Sequence, residues 1–217
     1  MILEPAQAGF FVFSLALCLC IFVVMLGLKL PTDPRWVNIA EKSIGDILID
    51  HAFCEQKAAT TCISMIVQYA DRELLVEKLA PIVAEEWGHF RRVLKEMKAR
   101  GVTLDKKRKD EYVNKLLAFQ RKGLTEDLVL LEKLLTCALI EARSCERFRL
   151  LSIECVEPDL RQFYHEFMVS EAGHYRLFMD LAEHFLPKEV VRKRWQEYLD
   201  FEAEMLPTLE LRGDRVH

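Results

Sequence analysis

One short pattern occurs twice in this chain, and where it occurs constrains the fold more than any average property. Glu86-Trp87-Gly88-His89-Phe90 and Glu171-Ala172-Gly173-His174-Tyr175 both read Glu-x-Gly-His-aromatic. On an α-helix, positions i and i+3 share a face, so each carboxylate and its imidazole converge on one point. A single Glu-x-x-His is weak evidence in a glutamate-rich chain, because a lone buried histidine is more often a satisfied core residue. Two copies in equivalent surroundings are far more informative. The glycine ahead of each histidine leaves space where helices approach closely, at about 1 kcal/mol of helix propensity against alanine.

The surroundings are helical. Only eight glycines and seven prolines interrupt 217 residues, which favours helices over strands. A three-four spacing of apolar positions predicts a helix from about Val37 to Tyr69, with Ala70-Asp71 as its turn. A second helix follows to Arg100, with Pro81 expected to kink or break it. Residues 101–124 read as a crossover with a short helix near Asp110 to Gln120. Thr125 opens a third long helix to about Cys155, and Glu157-Pro158 opens a fourth that ends before Pro187. A shorter amphipathic helix spans about Lys188 to Met205. The fold class is therefore all-α: two helical hairpins with a long crossover, the connectivity of a ferritin-like four-helix bundle, plus a short C-terminal helix. The expected organisation is an apolar segment over 1–27, the bundle over 28–205, and a polar, frayed tail over 206–217.

Antiparallel helices rise equally per residue, so positions equidistant from a hairpin turn stand at one height. Glu55 and Glu86 each lie about fifteen residues from the turn near Ala70, and Glu141 and Glu171 about fifteen from the turn near Val156. Four carboxylates and two imidazoles thus meet at one level, the pattern of di-iron or di-manganese carboxylate bundles. The candidate metal ligands are Glu55, Glu86, His89, Glu141, Glu171 and His174. Glu146 is the rival to Glu141, but it lies nearer the turn and off that face, where Arg143 or Arg149 would pair with it. Glu85 is set aside because Glu86 completes the repeated motif. His51, one turn before Glu55, is either a partner of that ligand or a plain surface residue. Asp50 is a candidate for orienting a ligand histidine, and Tyr164 and His165 receive no catalytic role.

A formal net charge of -4 excludes a uniformly basic nucleic-acid binder. A local run, Lys106-Lys107-Arg108-Lys109, reads first as a solvated surface stretch. The seven cysteines show no paired CxxC spacing and read as reduced thiols, most of them small core residues. From Gln7 to Leu28 no residue is charged, a run long enough to span a bilayer. Two readings of it stand: a membrane anchor with the main domain facing the cytoplasm, or an overextended start with Met25 as the initiator.

Several longer stretches resemble the MiaE family of tRNA hydroxylases. They are Leu28-Lys29-Leu30-Pro31-Thr32-Asp33-Pro34-Arg35-Trp36 and Asp50-His51-Ala52-Phe53-Cys54-Glu55-Gln56-Lys57-Ala58. Further on come Ile140-Glu141-Ala142-Arg143-Ser144-Cys145-Glu146-Arg147-Phe148 and Ser170-Glu171-Ala172-Gly173-His174-Tyr175. The similarity runs from about Gly27 to Phe185. It implies a ferritin-like protein binding two iron ions and acting as an oxygen-dependent monooxygenase. The implied reaction hydroxylates the isopentenyl side chain of 2-methylthio-N6-isopentenyladenosine beside the anticodon of tRNA.

On that resemblance the partners are tRNA and a separate electron-donating reductase, because no flavin or nicotinamide motif is present. Membrane contact through residues 7–28 is a further expectation. Lys106, Lys107 and Arg108 in the crossover, with Arg143 and Arg147 at the bundle mouth, are the candidate tRNA contacts. The alternatives on the same bundle are iron storage or peroxide scavenging, and a membrane-bound quinone hydroxylase.

Overall fold

The computed structural model describes residues 26–105 and 109–217. Its helices are α1 (Arg35–Glu41), α2 (Ile44–Gln68), α3 (Glu73–Ala99), α4 (Glu111–Phe119), α5 (Glu126–Glu154), α6 (Pro158–Phe185) and α7 (Lys188–Met205), followed by a 3-10 turn at Leu206–Thr208. Helices α2 and α3 form one hairpin and α5 and α6 the other, with α4 in the crossover. No strand occurs among the described residues.

Local chemistry explains most of these boundaries. Asp110 caps α4 by accepting a hydrogen bond from the Val113 amide, and Pro158 occupies the tolerated first turn of α6. Pro81 does not end α3; it is exposed and the helix continues through it to Ala99. The first helix differs from expectation. It is divided at Lys42-Ser43, where Ser43 leaves helical geometry, so Trp36, Val37 and Ala40 of α1 turn into the apolar cluster that also holds Ile47 and Leu48 of α2.

Two apolar clusters fill the bundle, one above and one below the level of Glu55, Glu86, Glu141 and Glu171. The first joins Cys62, Met65, Leu79, Leu135, Ala138 and Phe178 with Trp195 and Tyr198 of α7. The second joins Trp36, Leu48, Phe90, Phe148, Tyr164 and Phe167. Leu26 and Leu28 are buried in the first cluster, and a Cβ at Gly27 would lie 3.4 Å from the Trp195 indole nitrogen. Residues 26–27 are thus part of the packed body, whereas the rest of the apolar segment expected over 1–27 lies outside the described residues. No described helix is long and apolar enough to cross a membrane.

The stretch 206–217, expected to fray, is instead anchored. The Val216 amide donates to Asp50 (2.8 Å) and the Val216 carbonyl accepts from Arg147 (2.7 Å). Gly213 sits so close to Ile39 that a Cβ would meet it at 2.5 Å. Polar composition suggested solvent, but fixed partners on α2 and α5 absorb these backbone groups.

Arg143 ties two separate segments to α5. It is fully buried, donates to Glu202 of α7 (2.9 and 3.0 Å), to Glu146 (2.5 Å) and to the Leu30 carbonyl (3.1 Å). The Thr32 amide reaches Glu146 at 2.7 Å, and the Tyr112 hydroxyl reaches Glu202 at 2.7 Å. Removing the cation strands two buried carboxylates, which costs about 3–5 kcal/mol. Arg143→Met is accordingly expected to lower the denaturation midpoint in urea sharply. A midpoint within error of the parent would show that the network contributes nothing.

Candidate metal centre

Each hairpin delivers two carboxylates and one imidazole to one layer. Glu55 comes from α2, Glu86 and His89 from α3, Glu141 from α5, and Glu171 and His174 from α6, and all six are buried. Their donor atoms fall into two overlapping groups, Glu55–Glu86–His89–Glu171 and Glu86–Glu141–Glu171–His174, each with all atoms within 4.8 Å of one another. Glu86 and Glu171 belong to both. This is the geometry of two neighbouring cation positions sharing two carboxylates, with Glu55 and His89 at one end and Glu141 and His174 at the other.

Both histidines turn Nδ1 inward. His89 Nδ1 lies 3.4 Å from Glu55 and 3.7 Å from Glu86; His174 Nδ1 lies 2.7 Å from Glu86 and 3.7 Å from Glu171. Although close, these nitrogens lack hydrogen-bond alignment, and His89 Nδ1, His174 Nδ1 and Glu55 Oε2 remain buried without a partner. Buried polar atoms are normally satisfied, so orphans converging on one point mark a place where a ligand belongs.

The electrostatics agree. Burial and the charges of Glu86 and Glu171 push the Glu55 carboxyl well above its ordinary value, and burial with Glu171 does the same to Glu141. Burial also disfavours ionised Glu86, but the adjacent His174 and His89 imidazoles outweigh it and hold that carboxyl low. His174 is raised to about 12, its burial overcome by the Glu171 and Glu86 carboxylates. Oxygen-rich donors with two imidazoles suit iron or manganese. Two divalent ions would cancel the four carboxylate charges, and the donor set therefore fits a dinuclear centre.

Residues around this layer have distinct tasks. His51 is not on the surface. It is enclosed by Phe148, Phe163, Tyr164 and Phe167, kept neutral chiefly by burial, and its Nε2 contacts Glu55 at 2.6 Å. Glu85, set aside as a ligand, occupies the outer side. Its oxygens lie 3.9 Å from His89 Nε2 and 3.4 Å from His174 Nε2, and Ser170 donates to it at 2.5 Å. Such outer carboxylates fix the orientation of ligand imidazoles. The i,i+4 spacing of Glu85 and His89 was the available signal. Asp50 touches no ligand histidine, because its carboxylate is engaged by Val216 and lies 3.8 Å from Arg215.

A cavity of about 400 Å³ reaches the carboxylates of the layer from the side of α2, α4 and α5. Glu55, Glu86, Glu141 and Glu171 form its floor, Cys62, Met65, Cys137 and Phe178 its apolar wall, and exposed Thr61, Ser64 and Leu117 its rim. Burial raises the Cys62 and Cys137 thiols, so the wall is uncharged. Neither His89 nor His174 lines it.

The arginines expected at the mouth are not there. Arg143 is spent on Glu146 and Glu202, while Arg147 is buried against Trp36 and the Val216 carbonyl. Their side chains are structural ties without a free donor face for phosphate. Lys106, Lys107 and Arg108 lie outside the described residues.

Comparisons with known proteins follow the same line. Residues 20–217 match the model of the family described as tRNA-(MS2IO6A)-hydroxylase (MiaE). A tRNA 2-(methylsulfanyl)-N(6)-isopentenyladenosine(37) hydroxylase from Pseudomonas putida is 37% identical over 155 residues, covering 71% of this chain and 74% of that protein. The protein of the same name from Salmonella typhimurium is 28% identical, covering 82% and 83%. Among solved structures, "Protein 43 with aldehyde deformylating oxygenase activity from Synechococcus" superposes with a TM-score of 0.83 at 36% identity, covering 88% of this chain and 94% of its own.

The crowded carboxylates give the metal-free protein a pH dependence. Glu55 and Glu141 are raised on folding, so their stabilising contribution is present below the ordinary value of 4.5 and is lost as pH rises through their folded values. Glu86 has the opposite sign, contributing above 4.5 and losing that contribution only in acid. His174 contributes below its ordinary 6.5 and loses this only as pH climbs toward about 12. In chelator, the melting temperature should therefore fall from mildly acidic to neutral pH, and added ferrous or manganous ion should restore it. A chelated protein that gains stability over that interval contradicts this account.

Proposed function

Because the chain belongs to the tRNA-(MS2IO6A)-hydroxylase (MiaE) family, we propose that it hydroxylates the isopentenyl side chain of 2-methylthio-N6-isopentenyladenosine next to the anticodon in tRNA. In this reading Glu55, Glu86, His89, Glu141, Glu171 and His174 hold two iron ions, and dioxygen is the co-substrate. The observation that carries it is that the four carboxylates of the two overlapping donor groups form the floor of a largely apolar cavity open to solvent. The oxygenase activity for which the Synechococcus protein is named supports dioxygen as reactant. Family membership favours tRNA hydroxylation over iron storage, peroxide scavenging or quinone hydroxylation.

The bound irons supply the redox chemistry that activates dioxygen and oxidises a C–H bond. The chain does the rest. The cavity wall of Cys62, Met65, Cys137, Ile140 and Phe178 offers an isopentenyl group apolar contact and excludes water from the floor. A base displaced from an anticodon loop places its substituent deepest and its ring nearer the rim, as single-stranded recognition permits. Glu55 is held by His51 and the histidine rings face Glu85, so the ligands are oriented before substrate arrives. Electrons come from a separate reductase, since the chain has no motif for a flavin or nicotinamide.

Glu171 belongs to both donor groups, so its loss disturbs both positions. Purified anaerobically, the parent chain should carry about two irons, the stoichiometry of carboxylate-bridged bundles. Glu171→Ala should lose most of this iron and all hydroxylation of prenylated tRNA followed by mass spectrometry. Little or no iron in a well-folded parent protein would overturn the dinuclear reading.

A further inference from the structure

We propose that the outer face of α3 and α6, over the Nε2 edges of His89 and His174, docks a small acidic one-electron carrier protein. This inference rests on the dinuclear iron hydroxylase reading above.

The two sides of the centre differ in what they can admit. The carboxylates face the cavity that opens among α2, α4 and α5, and a bound substrate closes that route. The imidazoles carry their Nε2 edges the other way. His89 floors a shallow surface depression with Glu85, Gly88, Arg91, Arg92 and Lys95, and Glu85 links the outer edges of both rings. Only the Glu85 side chain, 3.9 Å from His89 Nε2 and 3.4 Å from His174 Nε2 and itself 47% exposed, stands between solvent and these two ring edges among the described residues.

The repeated glycines mark the same ground. The sequence suggested that they admit a neighbouring helix, yet a Cβ at Gly88 or Gly173 would meet nothing within 4 Å. Packing therefore does not require them, although each weakens its helix by about 1 kcal/mol relative to alanine. What they provide is bare surface immediately before each ligand histidine, where any longer side chain would hold a partner away. Val169, 57% exposed and one turn before Gly173, offers an apolar contact there.

Charge selects the partner. Arg91, Lys95 and Lys98 on α3 and Arg176 on α6 are exposed and have no ion-pair partner among the described residues, although Arg92 is paired with Glu166. A cationic rim around an accessible redox centre steers an acidic protein and speeds its encounter. The balance of the reaction requires such a donor: RH + O2 + 2 e− + 2 H+ gives ROH + H2O. A C–H bond and the O–O bond break, a C–O bond forms, and two reduced carriers are each oxidised by one electron while two solvent protons enter the water.

The test uses the iron-loaded full chain and reduced plant-type 2Fe–2S ferredoxin as probe. Two variants are compared with the parent, Arg91→Glu with Lys95→Glu, and Gly88→Gln with Gly173→Gln. Ferredoxin affinity at low salt and ferredoxin-driven hydroxylation should each fall about tenfold or more, as expected for lost charge steering and a blocked approach. Iron content, tRNA affinity and turnover driven by dithionite with methyl viologen should stay at parent levels. Unchanged ferredoxin affinity in both variants would overturn the proposal. Loss of tRNA affinity instead would assign this face to RNA. A parent chain that binds no iron, or gives no turnover even with the chemical reductant, would refute the functional reading and this inference with it.

Discussion

Four carboxylates enclosed at one level of a helical bundle repel one another through a medium that screens them poorly, and apolar packing cannot offset that. The protein places this layer between two hydrophobic clusters, which fix the helices on either side of it. Those clusters flank Glu55, Glu86, Glu141 and Glu171 and set the register of the helices that carry them. The raised carboxyls of Glu55 and Glu141 and the raised imidazole of His174 show the layer capturing protons when nothing else neutralises it. Four ionised carboxylates carry −4, so two divalent ions with neutral imidazoles would balance the charge of the layer. The fold thus stores an electrostatic cost in its centre that only a metal pair, or protonation, relieves.

The same layer divides the molecule into two working sides. The four carboxylates line the cavity, whereas the imidazoles, although their Nδ1 atoms turn toward the same carboxylates, do not line it and carry their Nε2 edges toward Glu85. The Glu side chain projects into the bundle while the His ring leans toward the groove between these two helices. Glu85 and Ser170 seal that groove only partly, since Glu85 remains 47% exposed in its side chain.

The part of this arrangement legible in the sequence was the part governed by helix periodicity. Equal rise along antiparallel helices suffices to bring Glu55 level with Glu86 and Glu141 level with Glu171, and Gly101 and Pro158 mark helix ends through local backbone chemistry. Illegible features depend on partners far along the chain. Nothing near Arg143 announces that Thr32, Tyr112 and Glu202 will surround it, and a charged residue ordinarily belongs at the surface. Arg147 and Asp50 were misplaced for the same reason, their partner Val216 lying in a stretch whose polar composition suggested solvent. The division at Ser43 also has no strong local signal, since it serves the burial of Trp36 and Ala40 against α2.

The two halves of the centre are built from near-identical motifs, yet they are not equivalent, and the difference arises four residues before the first glutamate of each hairpin. His51 occupies that place ahead of Glu55, and Cys137 occupies it ahead of Glu141. The imidazole fills the space beside Glu55, contacts its carboxylate and is walled in by Phe148, Phe163, Tyr164 and Phe167. The thiol is smaller, makes no such contact, and leaves room that the cavity occupies. Glu55 is thereby restrained by a neighbour on its own helix, a contact that Glu141 lacks. Near-symmetric donor groups thus sit inside an asymmetric shell, with an imidazole beside Glu55 and the cavity wall of Cys137 and Ile140 beside Glu141.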